Sequence, residues 1–314
     1  MKRNRLTRWY SILGFCLLTF SLYILNRELA RYNLEDIVHS LSLISDRQLI
    51  CALVFATVGC LVISSYDLIA FYWLQYRLNI KRILFATFIT YAVSNTTGFT
   101  LLIGGGIRYR FYSLWGVPAK YIARIIALGN ITFWLGLLTL TGVTFVINPL
   151  ELPNPLNLNP LLIRCMGFVA ISLASIYLYL CHIRKKLKIR KKTFCFPKLT
   201  ISLTQIGIFA SDWALAAAIL YSLIPEYPNK SYFNFFNIYL LAMAASIISN
   251  IPGGLGVFET IVIFLLPKSL FVPDTLSSLL VYRAIRFLLP LAIAFVLVSC
   301  FEIKKRFLRN KERT

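Results

Sequence analysis

Residues 249–259 read Ser-Asn-Ile-Pro-Gly-Gly-Leu-Gly-Val-Phe-Glu, and they interrupt apolar sequence, with residues 232–248 before them and 260–266 after. A helix in hydrocarbon must satisfy its backbone N–H and C=O groups internally. Proline removes a donor, glycine weakens a helix, and an ionised acid at depth is costly. Irregular backbone at membrane depth is tolerated where it is packed in protein or lines a wet cavity. The stretch is therefore predicted to form the tip of a broken helix. Gly253, Gly254, Gly256 and Glu259 become candidate site residues.

The chain has 314 residues, and 58% of them are hydrophobic. Several apolar runs reach the roughly 20 residues that cross a bilayer. The period-2 alternation of a membrane barrel is absent. This predicts an all-α polytopic membrane protein, a single integral membrane domain over 1–314, with no segment polar and long enough for a soluble domain. The net charge of +21 would point to nucleic acid in a soluble protein. In a membrane protein, basic residues gather in cytoplasmic loops, so no nucleic-acid partner is expected. The seven cysteines are scattered without a Cys-x-x-Cys pair, and His39 and His182 lie far apart in sequence. No metal site, cofactor or catalytic constellation is predicted, and the chain is read as a non-enzyme.

Charge counting sets the layout. Basic residues cluster at 2–8, 77–82, 108–124, 184–198 and 304–313, which together hold 25 of the 33. If residues 83–103 crossed fully, the eight basic residues of 184–198 would fall outside, against the positive-inside rule. A re-entrant hairpin over 83–107, broken at Ser94-Asn95-Thr96-Thr97-Gly98, removes the conflict. Full spans are then predicted at 9–25, 49–73, 121–147, 161–181, 199–224 and 279–301. The 184–198 loop and both termini are predicted to be cytoplasmic. Residues 232–278 must begin and end outside, as a second hairpin with the broken stretch at its tip. The result is six spans plus two oppositely oriented re-entrant hairpins: one repeat half at 49–147 and an inverted one at 199–301. Inverted repeats with broken elements are a transporter arrangement.

Candidate ligand groups follow from that layout. Free N–H groups at the start of a returning helix attract anions. Gly104, Gly105 and Gly106 on the return arm would let a phosphate approach, with Arg108 beside them; close helix packing is the other use of such glycines. Asp212, near the centre of its span, occupies the costly position, whereas Asp67 near a span end has headgroups within reach. Arg283 and Arg286 are three apart and share a helix face. A Glu259–Arg286 pair is predicted, either as fixed glue or as a pair that opens to a charged headgroup.

Gly104-Gly105-Gly106-x-Arg108 together with Pro252-Gly253-Gly254-Leu255-Gly256-x-x-Glu259 resembles the lysylphosphatidylglycerol synthase transmembrane-domain family. That family includes the membrane half of the bacterial multiple peptide resistance factor and stand-alone inner-membrane proteins. The resemblance spans about residues 10–303 and implies a stand-alone member without the soluble synthase domain. It implies a flippase or lipid-handling protein of the bacterial inner membrane, acting on phospholipids that include aminoacylated phosphatidylglycerol. Arg108 and the glycines would hold the phosphate, and Glu259 and Asp212 any cationic headgroup part. A homo-oligomer or a separate lipid-synthesising enzyme are the partners considered. The alternatives are a secondary transporter of a small anion or organic solute, and a non-transporting scaffold for envelope lipid enzymes.

The layout predicts that, in a cysteine-free background, Arg190→Cys labels only from the cytoplasmic side and Pro155→Cys only from outside. External labelling at 190 would overturn the inverted arrangement.

Overall fold

Ser45 starts the first long helix. Its hydroxyl accepts from the Gln48 N–H at 3.4 Å while the Gln48 side chain accepts from the Ser45 N–H at 2.9 Å, so two otherwise orphaned donors are satisfied reciprocally. The structure, a computed structural model, describes residues 34–97, 100–148, 159–183, 186–189, 192–228, 230–249 and 251–311. A short α1 (Leu34–Ser42) precedes α2 (Asp46–Ser64) and α3 (Tyr66–Leu74), two segments of one apolar rod with a break at Ser65. There the Ser64 hydroxyl donates to the Cys60 carbonyl at 2.6 Å, a back-bond that bends helices.

The chain continues through α4 (Ile80–Thr97), α5 (Thr100–Leu114), α6 (Ala119–Ile147) and α7 (Pro160–His182). A β-hairpin of β1 (Lys186–Ile189) and β2 (Lys192–Cys195) occupies the basic loop. Then come α8 (Leu199–Leu223), α9 (Tyr232–Ser249), a 3-10 turn at Pro252–Gly254, α10 (Val257–Leu265), α11 (Val272–Arg283), a π turn at Ala284–Leu288 and α12 (Leu289–Lys311).

The fold is helical, as the hydropathy pattern predicts. Among the described residues six helices are long and apolar enough to cross a membrane: Asp46–Leu74, Ala119–Ile147, Pro160–His182, Leu199–Leu223, Tyr232–Ser249 and Val272–Lys305. Five match predicted spans. The predicted span at 9–25 lies outside the described residues. Tyr232–Ser249, expected as one arm of the second hairpin, is itself of spanning length. Of the expected break at 94–98, residues 94–97 are helical within α4, and Gly98 lies outside the described residues. The chain is a multi-pass membrane protein.

Two apolar cores divide the structure. One gathers Ala52 and Ala56 of α2, Phe209 to Leu223 of α8, and Phe235, Tyr239, Phe258 and Tyr282 from α9, α10 and α11. The other gathers Phe71 of α3, Ile83 to Ala92 of α4, Phe111 and Tyr112 of α5, and Ile122 to Leu128 of α6. Each core thus contains one helical pair, α4 against α5 and α9 against α10. Helix α2 packs along α8 and joins the two. Outward-facing Leu161, Phe168, Val169 and Ile176 of α7 are exposed, a surface suited to hydrocarbon.

Helices α6 and α7 meet where Gly142 faces Gly167; a Cβ on Gly167 would lie 3.0 Å from the Gly142 carbonyl oxygen. Such contact drives helix association in lipid, where apolar burial does not. Gly167→Leu is expected to destabilise the protein by about 1–3 kcal/mol through overpacking, read as a lowered midpoint of thermal unfolding in detergent.

Candidate functional site

The tip between α9 and α10 is where sequence most restricts backbone. Gly253, Gly254 and Gly256 take φ of +61°, +62° and +81°. Side chains are disfavoured in this left-handed region by about 1–2 kcal/mol per residue. Gly254 is restricted twice, because a Cβ there would stand 2.6 Å from the Ser246 Cβ. The reversal lets α10 begin at Val257, with Glu259 in its first turn. The Glu259 carboxylate accepts the Gly256 N–H at 2.8 Å, closing the helix start.

The other Glu259 oxygen accepts from Arg283, whose Nη1 also donates to the Gly253 carbonyl at 3.0 Å. Arg283 therefore ties the helix start and the glycine turn to α11. This corrects the predicted Glu259–Arg286 pair. Arg286 instead donates to Asp212 on α8 at 2.7 Å, and its guanidinium lies 5.3 Å from the Tyr91 ring centre of α4. The reason is the π turn at 284–288, where Leu289 N–H bonds back to the Ala284 carbonyl. The widened turn rotates residues three apart off a common face, so Arg283 reaches α10 and Arg286 reaches α8.

Arg108 on α5 forms a third pair. Its Nε and Nη2 embrace Asp67 at 2.9–3.2 Å, and the Tyr112 hydroxyl, one turn on, donates to the same carboxylate at 2.6 Å. Asp67 is buried, so it does not reach for headgroups as its place near a span end implied.

The glycine triplet has another role than predicted. Gly104, Gly105 and Gly106 lie inside α5, which begins at Thr100, so the helix ladder takes up their N–H groups. They are not a cradle of free donors. A Cβ on Gly104 would stand 2.7 Å from the Ser94 hydroxyl and 3.5 Å from Arg108 Nη1; Gly104 allows α4 and α5 to close on each other. One on Gly105 would touch Ile126 at 3.6 Å, and around Gly106 nothing lies within 4 Å.

The last two turns of α4 are the meeting point. Ser94 lies beside Gly104 and Arg108; a Cβ on Gly253 would lie 3.3 Å from the Thr96 carbonyl oxygen and 3.6 Å from Arg283 Nη1; Tyr91 lies under Arg286. Three arginines from three elements thus surround the negative end of one helix, each neutralised by its own acid. The structure brings Gly104, Arg108, Gly253, Arg283 and Arg286 to this junction, with Asp212 and Glu259 as counter-ions; Gly105 and Gly106 face away from it. Sequence reasoning missed Tyr91 and Tyr112 and underrated Asp67. Tyr112, at i+4 from Arg108, was the available signal. Among the described residues no group of three or more His, Cys, Asp or Glu is placed to hold a metal ion.

The same chain organisation occurs in relatives. The uncharacterized protein slr0712 of Synechocystis sp. is 38% identical over 319 residues, covering 98% of both chains. The inner membrane protein YbhN of Escherichia coli is 30% identical over 266 residues, 84% of this chain and 83% of that one. The chain belongs to the YbhN family, which shares its membrane domain with lysylphosphatidylglycerol synthase. To the phosphatidylglycerol lysyltransferase of Staphylococcus aureus it is 27% identical over 287 residues, 90% of this chain and 33% of the enzyme. The match lies in that enzyme's membrane part. No protein-family model matches the chain.

Two glycines separate the roles of backbone and space. Gly254→Ala is expected to cost about 2–4 kcal/mol from combined left-handed strain and overlap with Ser246. Gly106→Ala, inside a helix with open surroundings, is expected to stabilise by about 0.5–1 kcal/mol. Thermal unfolding of the two purified variants checks both signs.

Proposed function

We propose that this chain handles phospholipids in a bacterial inner membrane and moves their headgroups between leaflets through the junction at the end of α4. The observation that carries this reading is a difference in access among the three charge pairs. The side chains of Arg108 and Arg283 keep 17% and 15% of their surface, whereas that of Arg286 keeps 7%. Two of the three arginine side chains at the junction therefore keep partial access, and the third is nearly sealed. A headgroup phosphate meets a charge-assisted, geometrically matched donor there, while the acyl chains remain against the apolar outer faces of the helices. The membrane setting of YbhN and the phosphatidylglycerol in the lysyltransferase's name support the same direction.

In this reading the two halves work as inverted counterparts, each giving access from one side, with both termini cytoplasmic. The broken tip held by Arg283 is the moving part. Arg283 ties it to α11 by two side-chain bonds, one to Glu259 and one to Gly253. The substrate class carried over from the relatives includes aminoacylated phosphatidylglycerol, and the chain itself does no covalent chemistry.

Glu259→Gln keeps shape and a hydrogen bond but leaves Arg283 without its counter-charge. Purified into vesicles, the variant is expected to move tail-labelled phospholipid about tenfold more slowly than the parent, the loss from replacing a charge-assisted bond by a neutral one. Unchanged movement would overturn the role of this tip. Uptake of a soluble anion without lipid movement would overturn the lipid reading in favour of a solute transporter.

A further inference from the structure

Each of the three acids at the junction is engaged by its own arginine. Asp67 Oδ1 accepts from Arg108 Nε and Nη2, and its Oδ2 from Arg108 Nε and the Tyr112 hydroxyl. Glu259 divides its oxygens between Arg283 and the Gly256 N–H. Asp212 accepts from Arg286. The side chains of Asp67, Glu259 and Asp212 keep 3%, 9% and 6% of their surface, so within both open pairs the cation is the more exposed partner.

A guanidinium has five N–H donors. Arg108 spends Nε and Nη2 on Asp67, and Arg283 spends Nε on Glu259 and Nη1 on the Gly253 carbonyl. Arg108 Nη1 and Arg283 Nη2 lie beyond those bonds. Arg108 Nη1 is on the Gly104 side, where the Thr90 methyl approaches the Gly104 Cβ position to 3.3 Å. The Thr90 hydroxyl is buried and has no hydrogen-bond partner among the described residues. A terminal guanidinium nitrogen and an unsatisfied hydroxyl therefore flank the same helix crossing.

We propose, resting on the lipid reading above, that the junction selects its headgroup by negative charge. Phosphodiester oxygens of an anionic phospholipid are received by Arg108 and Arg283, with Thr90 beside Arg108, and an ammonium group finds no carboxylate to take it. An entering phosphate adds to donors already present. An entering ammonium must displace a guanidinium from a carboxylate that it grips bidentately and that also accepts from a tyrosine, or displace one that also holds the glycine turn. Asp67, Glu259 and Asp212 are counter-ions that fix the guanidinium groups. They are not receivers of a cationic headgroup, which revises the role first given to Glu259 and Asp212. The preferred substrate is then a lipid with one net negative charge and no amine, such as phosphatidylglycerol, ahead of its lysyl ester.

The test uses the full chain in phosphatidylcholine vesicles carrying trace tail-labelled phosphatidylglycerol, phosphatidylethanolamine or lysyl-phosphatidylglycerol, with leaflet exchange read by quenching of the outer label. Phosphatidylglycerol is expected to move about tenfold faster than either amine lipid, the difference between gaining and displacing one charge-assisted bond. Equal or faster movement of an amine lipid overturns the charge selection and leaves lipid handling standing. If no lipid moves faster than in protein-free vesicles, the lipid reading itself falls. Charge selection is then decided by tryptophan-fluorescence titration with short-chain phosphatidylglycerol and its lysyl ester, where equal affinity overturns it. In the same titration Asp67→Asn with Arg108→Gln, which removes the pair together so that no lone charge is left buried, is expected to weaken phosphatidylglycerol binding about tenfold at unchanged elution volume. Unaltered binding overturns the assignment to Arg108. Inorganic phosphate that competes as strongly as the short-chain lipid identifies a free anion as the ligand and overturns the lipid source.

Discussion

Arg286 and Asp212 meet in the seam between the two apolar cores, and the arrangement around them depends on that pair. Removing a charge from water costs several kcal/mol per ion even after relaxation, and a buried ion left without its partner costs about 3–5 kcal/mol. Arg286 therefore requires α8 to bring Asp212 to it and α4 to lay Tyr91 under it. It also passes α2 closely at Gly59, where a Cβ would stand 3.4 Å from Arg286 Nη1, at van der Waals contact. One guanidinium thus fixes the relative placement of four elements. In hydrocarbon, where apolar packing gives helices little reason to associate, such a pair is a principal source of specificity.

The other two pairs resemble the first in chemistry and differ in access. Arg108 and Arg283 sit at the rims of the two helical pairs, each gripped from behind by a carboxylate. Orientation and access are thereby separated. The acid fixes where the fork points, and part of the side chain keeps some access. A lone arginine at that depth would move toward the headgroups, as long basic side chains do. The counter-ion keeps it at the junction.

Much of this was legible from residues alone. The apolar runs announced the helices, and the five predicted spans within the described residues reappear as long apolar helices. Pro252, Gly253, Gly254 and Gly256 announced a broken tip, and the positive φ angles of Gly253, Gly254 and Gly256 account for three glycines within four residues. What stayed hidden depends on helix rotation and register. Gly104 to Gly106 read as a phosphate cradle because glycine serves loops and helix crossings alike, and only the start of α5 at Thr100 separates the two. Asp67 looked peripheral from its distance along a span. Its burial follows from the bend at Ser64 and Ser65, which no hydropathy window registers.

The mispaired arginines show how a local irregularity sets a long-range contact. Regular α-helical spacing puts Arg283 and Arg286 on one face and allows a single acid to serve both. Pro290 changes this. It has no N–H to offer the Arg286 carbonyl, and its ring crowds the carbonyl four residues back. The helix widens into a π turn over Ala284–Leu288, between Arg283 and the proline. The extra rotation separates the two guanidinium groups, so each needs its own acid on a different helix. One arginine then holds the broken tip and the other holds the seam between the cores. Arg-x-x-Arg-x-x-x-Pro on a spanning helix can accordingly be read as a device for dividing one basic face into two, and π turns inside otherwise regular helices frequently occur at functional sites for this kind of reason.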